Sequence, residues 1–207
     1  MTVWYDLPQF DGYDRNRELL KRCDKIAILA HDGEFRRDGE TPYITHPRMC
    51  AYLAAEESLP LDAICAMILH DVIEDGDPRV DWDGIIQEKV GIRVLRMVRW
   101  LTQPTFHKHT PWGIKMRVRA EFMGHAPNVV QICKLIDCTH NLSTMTDKND
   151  RDFNIRWLNK MMWWIKACWQ ASPGLAGSLQ LTRWDKAMEL SIEGEILERF
   201  CVPELIY

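Results

Sequence analysis

The chain has 207 residues, 46% of them hydrophobic and 27% charged, the balance of a globular protein able to bury a core without disulfides or a structural metal. Its formal net charge of −4, with no long basic tract, excludes a general attraction for nucleic acid or an anionic membrane, so an anionic ligand must be held by a local patch. No apolar run reaches the length of a membrane span, and Met1-Thr2-Val3-Trp4-Tyr5-Asp6 lacks the basic and apolar regions of a secretory leader; the expectation is a cytoplasmic protein.

Taken in chain order, helical periodicity dominates. Apolar residues at 19, 20, 23, 26, 27 and 30 predict a helix over Glu18–Phe35. Helices over Pro47–Ser58 and Leu61–Ile73 follow, divided by Leu59-Pro60, and then shorter ones over Trp82–Lys89 and Ile92–Leu101, split by Gly91. A proline-bounded turn region from Gln103 to Pro111 leads to Gly113–Gly124, to a helix centred on Asp137, to Phe153–Trp169 and, after Pro173-Gly174, to Leu179–Phe200. No long period-two run occurs, and no Asn-Gly or Asp-Gly turn joins two alternating segments. The expected fold is an all-α helical bundle forming a single domain over 1–207, with site-bearing helices over about 18–145 and packing helices over about 151–200.

The densest chemistry lies in Leu69-His70-Asp71-Val72-Ile73-Glu74-Asp75-Gly76, which follows an apolar run that has to be buried. On a continuous helix of about 100° per residue, His70 and Glu74 stack at i,i+4, with Asp71 and Asp75 beside them. Three carboxylates at that density repel one another, and burying one unpaired charge costs several kcal/mol. A divalent cation resolves the conflict; the alternative is a solvated acidic helix end stopped by Gly76 and Pro78. His-Asp supplies only two ligands, whereas a hydrolytic metal site takes three or four. His46, at the mouth of the helix that Pro47 opens, is either a capping residue or a further ligand. Asp137 follows the apolar pair Leu135-Ile136, so it is expected to be partly buried and to need a partner.

Seven cysteines lie at 23, 50, 65, 133, 138, 168 and 201 with no C-x-x-C spacing; they read as small buried hydrophobes in a reducing compartment. Trp157, Met161, Trp164 and Cys168 form a stripe at helical spacing, with Trp163 and Trp169 beside it, which reads as core packing.

Four motifs in this order and spacing resemble the HD-superfamily hydrolase domain of the RelA/SpoT type, and the stand-alone small alarmone hydrolases are similar over most of the chain. They are His31 with Arg36; Gly39-Glu40-Thr41-Pro42-Tyr43-Ile44-Thr45-His46-Pro47; His70-Asp71 with Glu74-Asp75; and Lys134-Leu135-Ile136-Asp137 with His140-Asn141. The resemblance implies an all-helical HD domain in which His46, His70, Asp71 and Asp137 hold Mn²⁺, or a similar first-row ion suited to nitrogen and oxygen donors. It implies that Glu74 and Asp75 orient and deprotonate the attacking water, and that Asn141, one helical turn beyond Asp137, belongs to the active site.

The substrate class that the resemblance implies is guanosine tetra- and pentaphosphate, from which the 3′-pyrophosphate is removed to leave GDP or GTP. Arg36 and Arg37 match a basic pair that would stack on a purine and reach phosphate. Thr144 also matches, and Lys115, Arg117, Arg119 and Lys134 would add positive charge. The family usually carries a basic residue after the metal aspartate and another two positions after the asparagine. Cys138 and Ser143 stand there, which predicts a raised KM. The region Thr146-Asp147-Lys148-Asn149-Asp150-Arg151 also departs from the Tyr-Ala-Pro motif of long family members. Alternatives are an HD phosphohydrolase of another nucleotide, such as a deoxynucleoside triphosphate or a cyclic nucleotide, and a nucleotide-binding module that has kept the fold. The expected partner is a small-molecule nucleotide, with neither nucleic acid nor membrane, and no synthetase or regulatory domain is expected in the remaining length; the sequence leaves the oligomeric state open.

Overall fold

A computed structural model of the chain describes residues 4, 10, 13, 16–146, 150–192 and 194. These divide between two compact units, Met1–Thr105 and Phe106–Tyr207.

In the first unit α1 (Arg17–Ala30) buries Leu20, Cys23, Ile26, Ala27 and Ala30 along one stripe, the amphipathic spacing that the sequence predicts. It stops at Ala30 rather than at Phe35: His31 caps it through its N–H to Ala27 O, and Gly33 takes a left-handed φ of 74° that no β-branched residue would hold. The chain then doubles back through an isolated antiparallel bridge between Phe35 and Pro42, with Asp38 Oδ1 accepting from the N–H groups of Glu40 and Thr41. α2 (Thr45–Glu56) and α3 (Leu61–Leu69) follow. Every residue from Ala63 to Leu69 is buried, because α1, α2 and the later α6 (Ile92–Leu101) all pack on α3. A helix that is apolar all round has to be enclosed in this way.

The helix predicted over Leu61–Ile73 is broken. His70 Nδ1 donates to Met67 O at 2.8 Å, the carbonyl that a continuing helix would offer to the Asp71 N–H. A side chain competing for a backbone acceptor ends regular structure. A single further turn, α4 (Val72–Asp75), carries the acids. α5 (Trp82–Lys89), capped by Asp81 accepting from Gly84 N, packs on α6.

In the second unit α7 (Trp112–Gly124), α8 (Asn128–Ser143), α9 (Arg151–Cys168) and α10 (Pro173–Glu189) are ordered around α9, which packs on the other three. The tryptophan stripe is core: Met161, Trp164 and Cys168 are buried while Trp157 is half-buried. α10 begins earlier and ends earlier than the predicted Leu179–Phe200. Ser172 Oγ accepts from Leu175 N and Pro173 fills the first turn, a start signal stronger than the apolar run. The expectations on Asp147, Lys148, Asn149 and Cys201, and on the last residues of that helix, lie outside the described residues. No strand occurs among the described residues, so the fold class is all-α as predicted. The six described cysteines are buried and unbridged, and no described helix is long and apolar enough to cross a membrane.

Candidate metal centre

The break after α3 places His70 and Asp71 in a turn, and the first turn of α2 supplies His46. His46 Nε2 lies 3.2 Å from His70 Nε2. Asp71 Oδ2 is 3.1 Å from His70 Nε2 and 3.7 Å from His46 Nε2. Two donors about 2.0–2.2 Å from one ion and 90–110° apart at it stand about 2.9–3.6 Å from each other, so these separations suit a shared cation. Both imidazoles are buried, with exposures of 1% for His46 and 3% for His70.

The protons are accounted for from behind. The bond from His70 Nδ1 to Met67 O assigns the proton to Nδ1 and leaves a lone pair on Nε2. His46 Nδ1 faces the buried Cys50 thiol, one turn along α2, at 3.6 Å, closer than its Nε2 at 3.9 Å. With the proton on Nδ1, His46 Nε2 also carries a lone pair. In that tautomer three acceptors converge and a cation fits between them; in the other, His46 Nε2–H donates to His70 Nε2 at 3.2 Å. Cys50 offers a donor atom within 4.8 Å of both histidines; its proximity to Nδ1 makes it a support for the imidazole. Sequence reasoning listed Cys50 only as a packed thiol, although its i,i+4 spacing from His46 was a usable signal.

Tyr43 is a second residue that the sequence reading left out of the site. Its hydroxyl is 2.7 Å from Asp71 Oδ2 and 3.2 Å from Asp75 Oδ2, so it bridges two carboxylates. Its ring lies 4.6 Å from that of the buried His31, whose Nδ1 is 2.8 Å from Glu34 Oε2. Burial, followed by the charges of Asp71 and Glu74, holds the Asp75 carboxyl above its usual range, with the Tyr43 hydrogen bond opposing. Glu74 Oε2 accepts from Gln103 N at 3.1 Å. Behind the acids, Gly76 ends α4 at a point where an added Cβ would sit 2.5 Å from Val72 O and 2.6 Å from Trp82 Nε1. That indole donates to Asp77 O.

In the second unit both oxygens of the buried Asp137 are engaged from its own helix: Lys134 Nζ donates to Oδ2 at 2.7 Å and Asn141 Nδ2 to Oδ1 at 2.6 Å. The expected partner of this aspartate is thus present twice. Of the predicted substrate residues, Arg36 stands 5.6 Å over the Tyr43 ring, beside the carboxylates that Tyr43 bridges, while Arg37 is exposed on the same loop. Arg119 packs on Phe106 at 5.4 Å. Lys115 is half-buried on α7 and Arg117 is exposed. Thr144 donates to His140 O and Asn141 O at the end of α8.

The fold and this donor set define the class as an all-helical protein whose first unit brings two buried histidines and the Asp71 carboxylate together, side chains that could hold a metal ion. No protein-family model matches the chain. It is 34% identical over 157 residues, 70% of its length, to a putative chloroplastic GTP diphosphokinase of Oryza sativa subsp. japonica. Over 130 residues it is 34% identical to a guanosine-3′,5′-bis(diphosphate) 3′-pyrophosphohydrolase of Haemophilus influenzae, and over 132 residues 33% identical to the bifunctional (p)ppGpp synthase/hydrolase SpoT of Escherichia coli K12; these matches take in 58% and 61% of the chain. The chain spans only 17% to 18% of the length of these three proteins. A solved structure described as a metazoan ortholog of SpoT that hydrolyzes ppGpp shares the fold, with a TM-score of 0.62 at 21% identity, covering 84% of this chain and 96% of that one. The chain is a relative of the SpoT proteins and carries an HD-type domain of the RelA/SpoT kind.

Proposed function

We propose that the protein is a metal-dependent hydrolase of guanosine 3′,5′-bis(diphosphate) and its pentaphosphate analogue, cleaving off the 3′-pyrophosphate to leave GDP or GTP. The observation that carries the reading is the convergence of His46 Nε2, His70 Nε2 and Asp71 Oδ2 within 3.7 Å, beside Asp75 with its raised proton affinity. The relatives' names supply the substrate class.

In this reading Asp137 of the second unit joins His46, His70 and Asp71 as the fourth ligand, and the two units work as one HD domain over the 207 residues. The ion is Mn²⁺, in keeping with a set of nitrogen and oxygen ligands. When bound, it supplies Lewis acidity and lowers the pKa of a water. Glu74 and Asp75 would orient an attacking water and accept its proton as its oxygen bonds to the first phosphorus of the 3′-diphosphate. The bond from that phosphorus to the 3′-oxygen breaks, and the carboxylate that accepted the proton would return it to the departing 3′-oxygen. A carboxylate whose proton affinity is raised toward neutrality suits this exchange. Tyr43 sets the spacing of Asp71 and Asp75 by donating to one and facing the other. Asn141 and Lys134 orient Asp137. Arg36 packs against the purine, Arg37 reaches phosphate, and Thr144, Lys115 and Arg119 line the substrate side. The six buried unbridged thiols fit a reducing compartment, and we assign the protein to the cytoplasm.

The test is incubation of the purified chain with Mn²⁺ and, separately, ppGpp, deoxynucleoside triphosphates and cyclic nucleotides, with products identified by ion-exchange chromatography. GDP and pyrophosphate from ppGpp are expected. Tripolyphosphate released from a nucleoside triphosphate, with ppGpp intact, would instead make the protein an HD phosphohydrolase of another nucleotide. Cys138 and Ser143 at usually basic positions keep that second reading in play.

A further inference from the structure

His31 is only 4% exposed, and neither the ligand set nor the pair of acids gives it a task. Its Nδ1 lies 2.8 Å from Glu34 Oε2; since a carboxylate accepts, the ring proton sits on Nδ1. Its Nε2 is buried and has no hydrogen-bond partner among the described residues. The imidazole is therefore hydrogen-bonded at one edge only, by Glu34. Its ring packs against Tyr43, with centroids 4.6 Å apart and planes 30° apart. Glu34 and Tyr43 are joined in turn through the main chain, Tyr43 N donating to Glu34 O at 2.9 Å, in the hairpin that the Phe35–Pro42 bridge closes. The three residues thus form a closed triangle, and at its far corner the Tyr43 hydroxyl meets Asp71 and Asp75. A residue needed only to fill space there would be better apolar, because a buried nitrogen without a partner carries a desolvation cost that phenylalanine or leucine avoids.

We infer that His31 is a positioning residue: anchored by Glu34, its ring seats Tyr43 so that the phenol hydroxyl stays between Asp71 and Asp75. The inference rests on the hydrolase reading for the part those carboxylates play, and on the first unit alone for its geometry. An imidazole suits the task because its face packs on the phenol while one edge makes a hydrogen bond that stops the ring from turning. Asparagine could keep the bond to Glu34 but has no ring; phenylalanine keeps a ring but loses the bond. The hydroxyl stands at the far end of the tyrosine side chain, so a small tilt of an unseated ring carries it out of hydrogen-bond reach of one carboxylate. His31 also lies within electrostatic reach of that corner: burial, Asp71 and Glu74 raise the Asp75 carboxyl, and His31 is among the groups opposing them. Tyr43 is the link, and His31 has no hydrogen bond of its own to either acid.

The experiment is a double-mutant cycle in the full chain between His31→Asn and Tyr43→Phe, with His31→Phe alongside. Should His31→Asn fail to fold by circular dichroism, Glu34→Ala, which removes the anchor and leaves the ring, takes its place in the cycle. With Mn²⁺ and ppGpp, each single variant should lower kcat by about five- to twentyfold with KM moving less, and His31→Phe should recover part of the loss. The double variant should fall no further than the lower of the two singles, because both changes remove the same placed hydroxyl. Losses that multiply, or an unchanged kcat in folded His31→Asn, would overturn the inference. The same variants are titrated calorimetrically with Mn²⁺ alone, where each single change should raise the Kd about tenfold through Asp71, again without a further rise in the double variant. If the unaltered chain leaves ppGpp intact, the functional reading fails by itself, and the Mn²⁺ cycle decides the seat: an unchanged Kd, or rises that multiply, would overturn it.

Discussion

The two units place their polar side chains differently against their cores. Around His46, His70 and Asp71, two imidazole Nε2 atoms and a carboxylate oxygen converge, and the His70 ring proton is turned away toward Met67 O. Around Trp164, the ammonium groups of Lys134 and Lys160 lie near the indole ring, whose Nε1 has no acceptor. The first region sets oxygen and nitrogen donors where a cation could bind, whereas the second already sets cations against an aromatic ring. Burial alone does not define a site; the sign of the unsatisfied polarity says which ligand belongs there.

The largest expected effect comes from removing the acceptor side. His70→Ala or Asp71→Ala should abolish both bound Mn²⁺, measured by atomic emission after gel filtration, and turnover. Full metal occupancy in His70→Ala would break the comparison. Next comes Glu74→Gln, which keeps size and hydrogen bonding but not basicity. Rate should fall by roughly 10² to 10⁴ with metal retained, and loss of the metal would make Glu74 a ligand. Tyr43→Phe removes one hydroxyl between two carboxylates, so kcat should fall by about five- to twentyfold with little change in KM. An equal loss in both substitutes substrate binding for positioning.

The smallest effect probes the second unit through pH. The folded pKa of Lys160, about 8, lies below its ordinary value of 10.5, so between those values the unfolded chain binds the extra proton and stability contributed at this position rises with pH. The buried thiols Cys133, Cys138 and Cys168, with raised pKa values, act in the opposite sense over an overlapping range. The measurement is therefore a difference. Lys160→Met should be the more stable protein at pH 7, and its advantage should shrink from pH 8 to 10.5 in denaturant titrations. The charged groups that act on Lys160 in the native state are Lys134, Arg119, Asp137 and Cys138, so a flat difference would mean that these do not set its proton affinity.

The helices of both units were legible because buried residues recur at helical spacing, as in Leu20, Cys23, Ala27 and Ala30. The break at His70 was not, since Val72 and Ile73 resume the apolar pattern at helical spacing after His70-Asp71, and the interruption comes from a side-chain bond to Met67 O. The His-Asp pair and Asp137 with Asn141 could be read because their residue types conflict with their apolar neighbours. Tyr43 could not be read, because its two carboxylate partners lie 28 and 32 residues away. Lys160 sits three residues after Trp157 and four before Trp164, a visible spacing, yet the stripe was read as packing and the cation beside it was passed over.

Gly76 has no functional group, yet its missing side chain fixes the seat of α4 against Trp82. Any Cβ there would push within 3 Å of both the Val72 carbonyl and the indole nitrogen, displacing the turn that bears Glu74 and Asp75. In a saturation screen for activity, position 76 should therefore tolerate substitution as poorly as a ligand position, and even alanine should fail where the neighbouring Asp77 accepts change. The protein's evolvability is bounded there by an absent atom.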